Sequence, residues 1–277
     1  MSDMTIPFQG AEETTLYAAG LAWRVAVAGP EDGPVVLLLH GFPEYWGTWL
    51  PQIPALAGAG FRVYAADLPG YGGTDEPDSY ALDELARCVA DLRIQLDQDG
   101  VHLVGHDWGG IIGHVLAAEH PHAVKSFAAV CAPHPATFAG ALFRDPLQLL
   151  RSSYAALFQV PGLEFLLGHK DTIERLAAGS VTEIDDAQAM RQALSYYRTN
   201  LAPWKLGRTE AGRISQPGLV IHAARDVAIG EALMEATSEQ FDDLRGFEIL
   251  DSSHFVQRSA TDELNASLLA FLRDVAN

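Results

Sequence analysis

Short apolar runs alternate with helical patterns along most of this chain, and that rhythm limits the available folds more than any other feature. "PVVLLLH", "FRVYAAD", "VHLVG" and "SFAAVCA" are nearly continuous apolar runs bounded by turn residues. Runs of that kind fit strands covered on both faces. "LAWRVAVA" alternates instead, as a half-buried strand does. Between the runs lie helical patterns, notably at Leu82–Leu96 and at residues 110–119. Strand–helix alternation predicts an α/β protein with a mostly parallel, doubly wound sheet.

The alternation stops after Cys131. Residues 133–213 read as mainly helical, with breaks at Pro146, "VPG" and Pro203. "PGLVIHAARD" and "FEIL" then restore strands, and a final amphipathic helix covers Thr261–Val275. The division expected is a core in two parts, residues 1–132 and 214–277, with a helical cap at 133–213. A segment inserted after a strand belongs over the carboxyl edge of the sheet, where open α/β folds bind ligands. It would act as a lid.

The formal net charge of −18 disfavours nucleic acid and anionic membrane as partners. Its simplest role is solubility. The field also modestly disfavours anionic substrates. The two cysteines, Cys88 and Cys131, sit in apolar stretches and read as small buried hydrophobes. "MSDMTIPFQGAEETT" has neither the basic residues nor the apolar core of a secretory leader, so a reducing cytoplasm is the expected setting.

Chemistry enters at "VHLVGHDWGG". A strand runs into a tight turn and a helix follows, the layout that usually carries a nucleophilic serine in G-x-S-x-G. Here Asp107 holds the centre. Asp is also a common helix N-cap, but Gly105 and Gly109 flank it at the spacing a strained elbow requires. A carboxylate attacking an acyl carbon gives an anhydride and gains nothing. Attack on a saturated carbon gives an alkyl ester, which an activated water can cleave. Asp107 therefore points to an sp³ electrophile bearing a leaving group.

"HGFPEYWGTW" follows the strand at Val35–Leu39. Its turn brings the backbone N–H of Phe42 toward the elbow, where it and the N–H of Trp108 can form an oxyanion hole. His254, in "DSSHFVQ", suits a general base. Asp226 follows the strand at 219–223 and can orient the imidazole. Asp251 and Asp67 are rival acids. The order nucleophile, acid, histidine is that of the α/β-hydrolase fold. A halide leaves without a proton, whereas an epoxide oxygen leaves as an alkoxide and needs an acid. A tyrosine can supply that proton while neutral at pH 7. The insertion offers Tyr154 and Tyr197, with Tyr196 interchangeable with Tyr197 on spacing; any of them alone could be packing. His40, Trp46, Trp108 and Phe255 are candidate walls of an apolar pocket, although core packing explains most such residues equally well.

"HGFPE", "GHDWGG" and "DLPGYGGT" resemble the soluble-type epoxide hydrolases of the α/β-hydrolase superfamily, from about Trp23 onward. The resemblance implies Asp107 as nucleophile, Asp226 as charge-relay acid and His254 as histidine. That family also holds the epoxide oxygen with two lid tyrosines. One lies five residues before the Gln of a Phe-Gln-x-Pro-Gly stretch, which "YAALFQVPG" matches with Tyr154. The other lies in an Asn-Trp-Tyr-Arg-like stretch, matched more loosely by "SYYR" with Tyr197. Ser253 stands where the family usually has Gly. The resemblance implies a small apolar or amphipathic epoxide as substrate, no metal or organic cofactor, and a monomer or homodimer. Haloalkane dehalogenases also place Trp after the Asp, and Trp108 could serve a halide, but they lack the paired tyrosines. Fluoroacetate dehalogenases carry Arg where this chain has Trp108. A non-catalytic relative on the same scaffold would be expected to have lost a member of the set.

Overall fold

The computed structural model describes residues 10–177, 179–201 and 211–276. Pro203, read above as a break, lies outside them. Eight strands form one sheet: β1 (Glu12–Ala18), β2 (Leu21–Ala28), β3 (Val35–Leu39), β4 (Arg62–Ala66), β5 (Val101–His106), β6 (Val124–Val130), β7 (Ile214–Ala223) and β8 (Phe241–Leu250). Their order is β1-β2-β4-β3-β5-β6-β7-β8. The β1–β2 and β2–β4 pairs are antiparallel and the rest are parallel.

The apolar runs become the inner strands for a simple reason. Successive side chains point to opposite faces, and both faces are covered. Leu37 and Leu39 join one core cluster with Leu103, Ala129 and Val220, whereas Val36 and Leu38 join the other with Val63, Val104 and Ile221. α1 (Ile53–Gly58) and α12 (Thr261–Val275) supply Ile53, Leu56, Leu264 and Leu268 to the second cluster. α2 (Leu82–Leu96), α3 (Trp108–Glu119) and α10 (Glu231–Ser238) supply Leu85, Val89, Ile112, Leu116 and Leu233 to the first. The short α11 (Val256–Ser259) follows the last strand.

Three strands exceed the sequence reading, β7 by beginning at Ile214, ahead of "PGLVIHAARD". β1 is mostly exposed and polar, "EETTLYA", and forms by pairing with β2. β8 extends six residues ahead of "FEIL". Its added part carries Asp242, Asp243 and Arg245, as suits a sheet edge facing water. Between β6 and β7 lie α4 (Pro135–Arg144), α5 (Pro146–Arg151), α6 (Ser153–Leu157), α7 (Leu163–Leu167), α8 (Lys170–Leu176) and α9 (Ala187–Asn200). Side-chain contacts fasten these helices to the core. Tyr196 donates its hydroxyl to the Pro69 carbonyl at 2.7 Å. The buried Gln148 donates to Ala228 O at 2.9 Å and accepts from Gly230 N at 2.8 Å.

Candidate active site

The elbow between β5 and α3 is held in strain. Asp107 has φ +48° and ψ −120°, outside the regions L-residues favour. The residues two places before and after it must be glycine. A Cβ on Gly109 would stand 2.4 Å from the Leu39 carbonyl oxygen, and one on Gly105 would stand 2.6 Å from backbone atoms of Gly109 and Gly110. The carboxylate is thereby pressed against the turn after β3. A Cβ on Gly41 would lie 2.4 Å from Asp107 Oδ1.

Phe42 N–H donates to Asp107 Oδ1 at 2.9 Å. Trp108 opens α3, so its N–H has no acceptor in the preceding turn of helix and is free to face the elbow. On the other side, His254 Nε2 lies 3.6 Å from Asp107 Oδ2. Its Nδ1 lies 2.7 Å from Asp226 Oδ2. Asp226 Oδ1 accepts from the N–H groups of Ala228 and Ile229, at 2.8 and 3.0 Å, which fixes the acid loop.

The rival acids are engaged elsewhere. Asp67 is buried and pairs with Arg24 at 2.5 Å, while accepting from the N–H groups of Trp46 and Gly73. Asp251 is exposed and pairs with Arg225. Asp226 is the carboxylate beside the imidazole.

These contacts set the charges. Burial favours the neutral Asp107 carboxyl, but the hydrogen bond and charge of His254, with the Phe42 N–H, hold it below the usual carboxylate range. Asp226 behaves alike: burial raises it, and His254 with two backbone donors brings it below. Burial works against a charged His254 as well, yet Asp226 and Asp107 together raise it well above an ordinary histidine. All three shifts favour an imidazolium held between two carboxylates.

A small cavity of about 50 Å³ lies over Asp107. Its walls include Trp108, Phe138, Tyr154, Tyr197, Leu201 and Ile229. The two tyrosine rings cross at 75° with centroids 6.0 Å apart. Burial, helped by the nearby Asp107 charge, raises both hydroxyls, so each stays protonated at neutral pH. Tyr196, its neighbour on α9, points into the core instead, where its hydroxyl reaches Pro69. The Trp108 indole, also at this cavity, packs edge-on against Tyr197 with centroids 5.0 Å apart, and its N–H acts on the Tyr197 hydroxyl.

Of the pocket walls read from sequence, the cavity includes Trp108 but not His40, Trp46 or Phe255. His40 is fully buried beneath the turn. Its Nδ1 lies 2.9 Å from Gly41 O, and its Nε2 accepts from Leu68 N–H at 2.9 Å. Trp46 packs in the core cluster opposite α3. Phe255 stacks edge-on against His254, with centroids 5.3 Å apart. Composition marked these residues as apolar or aromatic but could not say which side of the turn each would face.

Sequence reasoning also missed a buried relay behind the histidine. Thr48 Oγ1 donates to Glu44 Oε1 at 2.6 Å, Glu44 Oε2 meets His106 Nδ1 at 3.1 Å, and His106 Nε2 reaches the His254 carbonyl at 2.9 Å. The signal was present in "HGFPEYWGT" and "GHD", as a buried Glu four residues ahead of a Thr and a His beside the nucleophile.

Residues 34–260 match the family model of the alpha/beta hydrolase fold. The chain belongs to that family. Among curated relatives of this α/β-hydrolase, "AB hydrolase superfamily protein YfhM" of Bacillus subtilis is 42% identical over 147 residues, 52% of this chain. That alignment spans about half of the relative's length, 51%. "Epoxide hydrolase 4" of Homo sapiens is 30% identical over 282 residues, covering 92% of this chain and 77% of that one. A solved structure described among novel epoxide hydrolases of the superfamily, from metagenomes of hot environments, superposes with a TM-score of 0.83 at 29% identity. It covers 94% of this chain and 98% of that one. The resemblance drawn from "HGFPE" and "GHDWGG" thus extends over nearly the whole chain.

Proposed function

We propose that this α/β-hydrolase opens epoxides to vicinal diols through an ester on Asp107. The observation that carries the reading is one cavity in which Tyr154 and Tyr197 face the ionised Asp107, with His254 and Asp226 behind it.

The tyrosines hydrogen-bond the epoxide oxygen. Asp107 Oδ1 is occupied by the Phe42 N–H, so Oδ2 is the atom left to attack a ring carbon. The new C–O bond forms as the ring C–O bond breaks, and the departing oxygen takes a tyrosine proton. Esterification removes the Asp107 charge. His254 loses one of its two stabilising carboxylates, its pKa falls, and its proton goes to neutralise the tyrosinate. The neutral imidazole is then a base. It takes a proton from water as the water oxygen attacks Asp107 Cγ. The N–H groups of Phe42 and Trp108 hold the oxyanion. On collapse the ester C–O bond breaks, the diol oxygen takes that proton from His254, and the carboxylic acid left on Asp107 returns its own proton to His254, restoring the resting ion pair. No step calls for a metal or organic cofactor.

The reading assigns residues 133–213 as the cap, and a small apolar or amphipathic epoxide as the substrate. The test is trapping. His254→Gln, given styrene oxide, should accumulate an adduct on Asp107 by intact mass and peptide mapping. An unmodified Asp107 with ongoing diol release would refute the ester. A second reading, halide displacement, draws on the Trp108 indole N–H donor at the cavity wall. Haloalkanes assayed beside epoxides for halide release distinguish the two.

A further inference from the structure

Epoxide opening by two tyrosines needs both hydroxyls on one oxygen. They come from different helices, Tyr154 from α6 and Tyr197 from α9. α6 has five residues, too few to hold a helix by its own backbone bonds. Whatever ties its end to α9 therefore decides where the Tyr154 hydroxyl stands relative to its partner. Misplacing such a group by about 1 Å costs on the order of 10²-fold in rate.

Gln159 makes that tie. α6 ends at Leu157, and the Gln159 backbone N–H turns aside to Ala156 O at 3.2 Å. The side chain then reaches back. Its Nε2 donates to Ala155 O at 3.1 Å, closing the end of the helix at the residue after Tyr154. The same amide nitrogen donates to Tyr197 O at 3.2 Å. Both neighbours are carbonyl oxygens, so the nitrogen, with its two protons, is the atom that must face them. One side chain thus bonds the backbone of one tyrosine and of the residue next to the other.

The surroundings keep that amide in place. Arg198, the residue after Tyr197, donates to the carbonyls of Phe158 and Val160, at 2.9 Å each, and pairs with Glu164 at 2.8 Å. The Phe158 ring packs edge-on against both tyrosines, with centroids 5.4 Å from Tyr154 and 4.9 Å from Tyr197. "YAALFQVPG" and "SYYR" lie far apart in sequence. They meet here, the Phe and Gln of one against the Tyr and Arg of the other.

We propose that Gln159 is a positioning residue that holds Tyr154 and Tyr197 at the separation from which both reach the epoxide oxygen. It is not among the walls of the cavity over Asp107 and acts through the two tyrosines. The inference rests on the epoxide reading above. Gln159→Met keeps the length and removes both donors. Gln159→Glu sets carboxylate oxygens against the two carbonyls. Rapid-quench mass spectrometry with styrene oxide follows formation and loss of the Asp107 adduct separately. Both variants should slow formation at least tenfold and leave loss, which uses His254 and water, within twofold. In a Tyr154→Phe, Tyr197→Phe background, Gln159→Met should change the residual formation rate by less than twofold. Equal slowing in both backgrounds, or slowing of both steps together, would mark a general structural role and overturn the proposal. Wild-type formation in both variants would overturn it as well. One measurement needs no variant to fold. A high-resolution crystal structure of the unsubstituted protein should place Gln159 Nε2 within hydrogen-bond distance of Ala155 O and Tyr197 O, and a side chain turned out to solvent would refute the tie. The two failures are separable. If wild-type enzyme and His254→Gln form no adduct, the epoxide reading falls and the positioning role with it. If they form the adduct and the Gln159 variants form it equally fast, only the positioning role falls.

Discussion

A buried histidine ordinarily loses its proton, because burial penalises charge more than it penalises the neutral ring. His254 keeps its proton because Asp226 lies 2.7 Å from one ring nitrogen and Asp107 3.6 Å from the other. Asp107→Asn removes one of those charges and should lower the His254 pKa in an NMR titration, mimicking the esterified state. An unchanged pKa would show that Asp107 does not govern the base. The tyrosines make a second prediction. Tyr154→Phe with Tyr197→Phe should cut epoxide opening by roughly 10²–10⁴-fold, the range of general-acid contributions, while sparing any halide displacement. Full epoxide turnover in the double variant would remove them from the mechanism. At this scale Tyr154 was singled out only through the family resemblance around "FQVPG", and Tyr196 and Tyr197 were not separable on spacing. Adjacent residues on a helix point about 100° apart, and only packing of α9 on Pro69 decides which one reaches the cavity.

The elbow shows which elements could be read from sequence and which could not. Gly105 and Gly109 around Asp107 are legible because the backbone itself excludes a Cβ at both places. Gly109→Ala meets the carbonyls of Leu39 and His40, which cannot rotate away as a side chain could. It should cost about 1–3 kcal/mol, seen as a drop of several degrees in Tm, and should abolish adduct formation. A fully active, equally stable Gly109→Ala would contradict the elbow's geometry. The inner strands were equally plain, since burial on both faces demands unbroken apolar runs. β1 and the first half of β8 were not, because exposed edge strands such as "EETTLYA" are ordered by pairing rather than by their own hydrophobicity. The cavity walls were least legible. Phe138, Leu201 and Ile229 come from three separate segments, and no local pattern says that they meet.

Charge acts on the molecule as a whole. Against a net −18, residues 135–167 of the cap balance Arg144 and Arg151 with Asp145 and Glu164. The helices α4–α7 are thus locally neutral on a polyanion, and α9, which also lines the cavity, adds Arg191 and Arg198 with no acid. Carboxylate-bearing epoxides should show kcat/KM that rises with salt as screening relieves repulsion, while neutral epoxides should not. Equal salt dependence for both would deny the field a role. The pH dependence of stability has two limbs. Asp107 and Asp226 titrate below their ordinary range, so their contribution is present above about pH 3.8 and is lost as pH falls through their lowered values. His254 titrates above its ordinary 6.5, so its contribution is present below that pH and is lost as pH rises through the raised value. Tm should therefore decline at both ends, and His254→Gln should flatten the alkaline limb; an unchanged alkaline slope would contradict the charge assignment. The proposed chemistry depends on Asp107 being the atom-donating nucleophile rather than a bystander that activates water. Single turnover in ¹⁸O-labelled water tests that most directly. Attack of water on Asp107 Cγ predicts label retained in the Asp107 carboxylate and an unlabelled diol, whereas label in the diol after one turnover would contradict the account.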